Sequence, residues 1–228
     1  MIKKRIWELD ALRGLCILGM LAFHLLYDIT ELYSLTTWRL PFWLTAIADM
    51  GGGIFLLLSG LCVTLGSHPL KRGAVVFACG IVCTLVTWLT NSLTIWFGIL
   101  HCLGLCMLLW PLFRKLPVWL LGVIGTAILA LGWYIHRFDV VTQLRWLYPL
   151  GLTYPGFSSG DYFPLIPCLG WFLLGAVLGR TLYREKISLI PGRAPFLELC
   201  GRHSLIIYLM HQPLFIGLLM LLTGLELL

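Results

Sequence analysis

The feature that most constrains this chain is a series of long apolar runs, separated by short polar or basic segments. From Phe42 to Leu65 the only charged residue is Asp49, and from Gly73 to Thr90 there is none. A run of 18 or more apolar residues is long enough to cross the roughly 30 Å of a bilayer core as a helix. Such runs fill most of the 228 residues: 60% are hydrophobic, 11% are charged, and mean hydropathy is +0.94. A soluble domain carries about 25% charged residues, so a soluble fold is excluded. Disorder is excluded too, because it needs low hydrophobicity and high charge. The runs do not alternate as barrel strands do. The predicted class is therefore an all-α integral membrane protein, a polytopic bundle of about seven transmembrane helices.

The predicted spans are Leu12–Leu32, Phe42–Leu65, Gly73–Thr90, Leu93–Phe113, Val118–His136, Pro164–Tyr183 and Phe196 to about Leu222. Asn91-Ser92 makes a tight turn between the third and fourth. A long outer segment, Arg137–Phe163, follows the fifth, and within it Arg137–Gly151 can hold one further interfacial or re-entrant helix. Gly175-x-x-x-Gly179 allows close helix packing. Gly51-Gly52-Gly53 reads either as a cavity-lining break or as a close helix contact. No linker or internal repeat divides the chain.

Net charge is +6, and its distribution orients these spans. Lys3, Lys4, Arg5, Arg13, Lys71, Arg72, Arg114, Lys115, Arg180, Arg184, Lys186, Arg193 and Arg202 fall on one side, 13 of the 16 basic residues. Only Arg39, Arg137 and Arg145 fall on the other. The Lys/Arg-rich side is cytoplasmic, which predicts N-in, C-out. There is no soluble basic face for nucleic acid. Glu8, Asp10 and Arg13 interrupt the first apolar run, so it reads as a retained span rather than a signal peptide. The eight cysteines lie in or beside apolar spans without a CxxC pair, and read as small hydrophobes.

Ionisable groups inside a span cost about 2.5–3.5 kcal/mol each on insertion scales, so they mark function by default. His24 and Asp28 lie four apart on one helix face, where the carboxylate could orient the imidazole as a general base requires. His101, His211 with Gln212-Pro213, and the segment Ser158–Pro164 with Asp161 and Tyr162 fall at a similar depth in the outer half. The opposite side carries Asp10, Arg13, Lys71, Arg72, Arg202 and His203. These basic groups suit either phosphate binding or snorkelling, and Asp10–Arg13 can be a simple i,i+3 pair. Asp49 reads as a helix cap or a site residue. No metal-ligand set stands out. An intramembrane His/Asp cluster also serves a carrier as a proton relay. Histidine axial ligation of haem is a further reading.

The long motifs Trp7-Glu8-Leu9-Asp10-Ala11-Leu12-Arg13-Gly14-Leu15 and Phe23-His24-Leu25-Leu26-Tyr27-Asp28 resemble the opening of bacterial proteins grouped with the heparan-α-glucosaminide N-acetyltransferase catalytic domain. Phe97–His101, Pro155–Pro164 and Gly201–Pro213 resemble that group as well, so the similarity spans nearly the whole chain. It implies one transmembrane acyltransferase domain over residues 1–228, in a bacterial inner membrane. It also implies transfer of an acyl group, acetyl in the first instance, from cytosolic acetyl-CoA or another acyl-CoA to a hydroxyl or amine of an extracytoplasmic sugar or glycan. No metal is implied, and the partners are acyl-CoA, the glycan, membrane lipids and a possible second copy of the chain. On that reading Arg13, Lys71, Arg72 and Arg202 hold the CoA phosphates. His24, oriented by Asp28, is the base, while His101 or His211 stabilises the oxyanion or protonates the thiolate. Asp161, Tyr162 and Gln212 hold the acceptor. Direct transfer and an acyl-histidine intermediate both remain open.

Overall fold

The computed structural model describes residues 5–33, 35–90 and 93–224, apart from the side chains of residues 49 and 223. Lys3, Lys4 and the expected Asn91-Ser92 turn lie outside the described residues, as does any role for the Asp49 side chain. Eight α-helices are described: α1 (Trp7–Tyr27), α2 (Phe42–Leu65), α3 (Pro69–Leu89), α4 (Ile99–Phe113), α5 (Val118–Arg137), α6 (Leu165–Thr181), α7 (Pro195–Arg202) and α8 (Ser204–Thr223). The last turn of α1 widens into a π-helix, Asp28–Leu32. Among the described residues the only strand-like pairings are two isolated bridges, Phe97 with Tyr162 and Val141 with Thr153.

Among the described residues, five helices are long and apolar enough to cross a membrane: Trp7–Leu32, Phe42–Leu65, Pro69–Leu89, Val118–Arg137 and Ser204–Leu222. Ile99–Phe113 and Leu165–Thr181 are apolar but shorter. The predicted limits of α2 match, and α2 runs unbroken through Gly51-Gly52-Gly53, so the glycines do not break the helix. Nor does Gly51 mark a close contact, since a Cβ there would meet nothing within 4 Å. The predicted fourth span begins too early, because residues 93–98 precede the helix and α4 starts at Ile99. The predicted seventh span is two helices, α7 and α8, separated at His203 with φ −101° and ψ 14°. The expected extra element after α5 is a short 3-10 helix, Arg145–Leu150.

The chain divides into two compact units, Met1–Phe55 with Ile187–Leu228, and Leu56–Lys186. In the first, α1 packs on α7 along a seam of glycines. A Cβ added at Gly14 would strike the Leu197 carbonyl, and one at Gly201 the Asp10 carbonyl. Only a residue without Cβ lets the two backbones approach this closely. The Trp7 indole donates to the Ile190 carbonyl (2.9 Å), and the buried Glu8 carboxylate accepts from Leu189 N–H (2.7 Å) and the Ser188 hydroxyl (2.5 Å). The segment 188–190, far away in sequence, is thereby stapled to the first turn of α1, where an acid also suits the positive end of the helix dipole.

In the second unit the two short apolar helices are the most enclosed. Along α4, Leu100, Cys102, Leu103, Cys106, Met107 and Trp110 are buried, and along α6 so are Leu169, Phe172, Leu173 and Ala176. Gly175 and Gly179 of α6 lie against the Leu57 and Leu61 carbonyls of α2, as the small-xxx-small pattern predicted. Arg180 donates to the Leu116 carbonyl (2.7 Å) and to the Arg114 carbonyl, closing the C-terminal end of α4. The guanidinium also stacks over Trp110 at 5.2 Å. All eight cysteines are free thiols lying within helices.

Candidate functional site

In the first unit α1 and α8 bring His24, Asp28, His211 and Gln212 together. The His24 and His211 rings meet edge to face, with centroids 4.9 Å apart. His24 Nδ1 donates to the Met20 carbonyl at 3.0 Å, and His211 Nδ1 donates to the Tyr208 carbonyl. A carbonyl can only accept, so in each neutral ring Nδ1 carries the hydrogen and Nε2 keeps a lone pair. His211 is buried, with its Nε2 closed off and unpartnered. His24 is half-buried.

Asp28 does not hold the His24 tautomer as expected. The His24 side chain leans back toward the preceding turn, as helical side chains do, and takes the carbonyl four residues earlier. Asp28 opens the π-helical turn and accepts instead from the Gln212 amide at 3.4 Å. π-bulges recur at functional sites. Here the turn places a completely buried carboxylate against α8. Asp28 Oδ2 and Gln212 Oε1 are buried without a partner, as is the Tyr33 hydroxyl just beyond.

The N-terminal end of α1 carries an ionic network. Asp10 lies 3.6 Å from Arg5, 3.7 Å from Arg13 and 3.6 Å from Arg202. Glu198 accepts from Arg193 at 2.9 and 3.0 Å, from Arg202 at 2.7 Å and from Ala194 N–H at 3.3 Å. Arg193 beside it holds the Glu198 carboxyl below the usual carboxylate range. Arg13 and Arg202, predicted as phosphate donors, are thus already paired with carboxylates. Glu198 is the network's buried centre, and the prediction missed it. The i,i+4 spacing of Glu198 and Arg202 was its signal in the sequence.

The other predicted residues belong to the second unit. His101 is buried and uses both ring nitrogens. Nδ1 accepts from Gly98 N–H at 3.2 Å, and Nε2 donates to the Thr84 hydroxyl at 3.3 Å, which donates to the Ile95 carbonyl at 2.5 Å. Phe97 stacks on the ring. Asp161 Oδ2 accepts from Ile99 N–H at 2.9 Å and so caps α4. Tyr162 donates its hydroxyl to the Tyr148 carbonyl at 2.6 Å. Burial pushes the Tyr162 phenol above its ordinary range, keeping it a donor. Phe163 N–H to Phe97 O and Gly160 N–H to Thr94 O pin the segment 159–163 alongside residues 94–97. Lys71 and Arg72 stand exposed in the first turn of α3.

Among the described residues, five helices long and apolar enough to cross a membrane mark an integral membrane protein. Residues 5–213 match the family model described as "Heparan-alpha-glucosaminide N-acetyltransferase, catalytic". The chain belongs to this family of membrane acetyltransferases. No curated protein and no solved structure matches it.

Proposed function

We propose that this protein moves an acyl group, acetyl in the first instance, from cytosolic acyl-CoA to a hydroxyl or amine of an extracytoplasmic sugar. The observation that carries this reading is the His24–His211 pair, two imidazoles 4.9 Å apart with Nδ1 committed to backbone carbonyls. A lone pair on Nε2, fixed in direction by the bond at Nδ1, is what a general base needs. The half-buried His24 takes the acceptor's proton on Nε2 as the acceptor oxygen or nitrogen attacks the thioester carbonyl. The C–S bond breaks, and the imidazolium returns the proton to the departing thiolate. His211 stabilises that imidazolium through its own free Nε2 lone pair. If an acyl-histidine forms instead, one Nε2 is the nucleophile and the other the base.

Orientation and CoA binding follow the charge. With N-in, C-out topology, seven spans including the shorter α4 and α6, and an inner-membrane location, Lys71 and Arg72 face cytosolic CoA phosphates. Arg13 and Arg202 reach an incoming phosphate by exchanging part of their pairing with Asp10 and Glu198. His101, Asp161 and Tyr162 build the α4 start and its loop.

The test is incubation of detergent-purified protein with radiolabelled acetyl-CoA, following CoA release and label retained on the chain. CoA release lost in His24→Ala and His211→Ala supports the reading. Silence of the wild type with acetyl-CoA and with longer acyl donors would favour a carrier with a proton-relay cluster.

A further inference from the structure

The Gln212 amide N–H reaches Asp28 Oδ1 at 3.4 Å, and this one bond uses one end of each group. The other ends, Asp28 Oδ2 and Gln212 Oε1, are buried without a partner. Neither an ionised carboxylate nor an amide carbonyl can donate. An ionised Asp28 would therefore leave two buried acceptors open and a full charge inside a span. Buried polar groups are ordinarily satisfied, and a charge at membrane depth normally has a partner. No cation answers this one. Among the described residues no ion pair reaches Asp28, and Arg5, Arg13, Arg193 and Arg202 gather on Asp10 and Glu198 at the other end of α1. The titratable groups around Asp28 are His24 one turn before it, His211 beside Gln212, and Tyr33 one π-turn on, whose N–H bonds the Asp28 carbonyl at 2.9 Å. Both imidazoles give their Nδ1 hydrogen to backbone carbonyls.

One proton resolves both open ends. On Asp28 Oδ2 it makes that oxygen a donor, and Gln212 Oε1 is the matching acceptor. Carboxyl and carboxamide are both flat, with closely similar spacing between their two polar atoms, so the pair closes into a ring of two bonds: N–H to Oδ1 and O–H to Oε1. The length agrees, since bonds to an ionised carboxylate contract to about 2.7–2.9 Å and this one is 3.4 Å. We infer that Asp28 stands as a neutral carboxylic acid and forms with Gln212 a cyclic acid–amide pair that joins α1 to α8 and positions the two imidazoles. His24 lies one turn before Asp28 and His211 is next to Gln212, so the pair fixes the approach of the two rings from one side. Asp28 is on this account a positioning residue, outside the proton transfer itself. The positioning role rests on the acyltransferase reading above, whereas the pair does not.

Asparagine is the decisive replacement, because its amide N–H takes the place of the acid O–H and rebuilds the ring without a titratable group. The detergent-purified full chain is compared with Asp28→Asn, Asp28→Ala and Gln212→Leu. The infrared difference between wild type and Asp28→Asn at neutral pH should contain a carboxylic-acid C=O band and no carboxylate bands. Carboxylate bands in its place would overturn the inference. Asp28→Ala and Gln212→Leu should each lower CoA release by about tenfold, the scale of one or two hydrogen bonds, and lower the unfolding temperature. Asp28→Asn should recover most of both losses. An Asp28→Asn variant as impaired as Asp28→Ala would overturn the inference, since the charge would then be what matters. If Asp28→Ala does not fold, Gln212→Leu serves as the reference for the recovery. Exchange of sodium for choline tests the competing complement, a metal cation between the two oxygens. Sodium that raises the unfolding temperature of wild type but not of Asp28→Asn would overturn the neutral pair. Wild type that releases no CoA removes the acyltransferase reading alone, and the infrared band with the recovered unfolding temperature still decides the pair.

Discussion

The His24 and His211 rings face each other edge to face at 4.9 Å, and both are fixed by the same device, a bond from Nδ1 to a carbonyl of the preceding helical turn. Each helix therefore orients its own imidazole without a carboxylate. Replacing either ring by glutamine keeps a polar side chain but removes the base. CoA release should fall about 10²–10⁴-fold in His24→Gln, the usual contribution of a positioned acid–base group. His211→Gln should fall within the same range. Initial rates at saturating acetyl-CoA read this directly, and a variant within twofold of wild type would remove that residue from the chemistry.

The basic groups at the start of α3 should act on donor binding rather than on chemistry. Lys71→Ala and Arg72→Ala are expected to raise the KM for acyl-CoA several-fold with kcat little changed. The effect should shrink as salt rises, because exposed charges are screened over about 8–10 Å at moderate ionic strength. Arg202→Ala should differ in kind, since it strips a partner from both Asp10 and Glu198 and lowers the unfolding temperature as well. A KM unchanged from wild type at low salt, or an increase that does not shrink as salt rises, would disconnect α3 from the CoA phosphates.

The α1–α7 seam predicts a contrast between glycines of one helix. Gly14→Ala puts a Cβ into the backbone carbonyl of Leu197, which no rotamer change can relieve. It should destabilise by about 1–3 kcal/mol or more, as overpacking does. Gly19→Ala on the same helix meets nothing within 4 Å and should be neutral or stabilising by about 0.5–1 kcal/mol. Thermal unfolding in detergent separates the two, and equal effects would contradict the close backbone approach at Gly14.

Much of this architecture is legible in the sequence, because a twenty-residue apolar run has few other uses. The limits of α2 follow from hydropathy alone. Residues 93–98 defeat the same reasoning, since their apolar character is satisfied in an extended segment held by the backbone of residues 159–163. Hydropathy does not distinguish extended chain from helix. The His24–Asp28 spacing correctly marked a shared neighbourhood, but spacing gives no rotamer. The imidazole turned to the carbonyl behind it, and the carboxylate to a glutamine on another helix. His101 drew attention as an intramembrane histidine, yet its two bonds to Gly98 and Thr84 make it part of the α4 start.

Acid should loosen the α7 end of the first unit. Glu198 has its carboxyl lowered by Arg193, with Arg202 adding to the effect. A lowered folded-state value means that the stabilisation is fully present above the unfolded value, about 4.3 for glutamate. It is lost as pH falls through the lower folded value. Glu198→Gln should therefore unfold at lower temperature than wild type at pH 7, with the gap closing as pH drops below about 4. A gap that persists unchanged at the acid end would assign the Glu198 effect to packing instead of charge.

Asp161 separates a structural from a binding role within one residue. Its Oδ2 accepts from Ile99 N–H in the first turn of α4, where the backbone donors otherwise lack partners. Asp161→Asn keeps a carbonyl oxygen able to take that bond, whereas Asp161→Ala removes it. Loss of such a cap costs about 0.5–2 kcal/mol, so Asp161→Ala should show a lower unfolding temperature, and Asp161→Asn should stay near wild type. If Asp161 acts on the acceptor only through the loop it holds, CoA release with saturating acceptor should follow the same order, with Asp161→Asn active and Asp161→Ala weakened. Asp161→Asn folded as wild type but impaired in acceptor KM would instead show that the carboxylate charge itself meets the substrate.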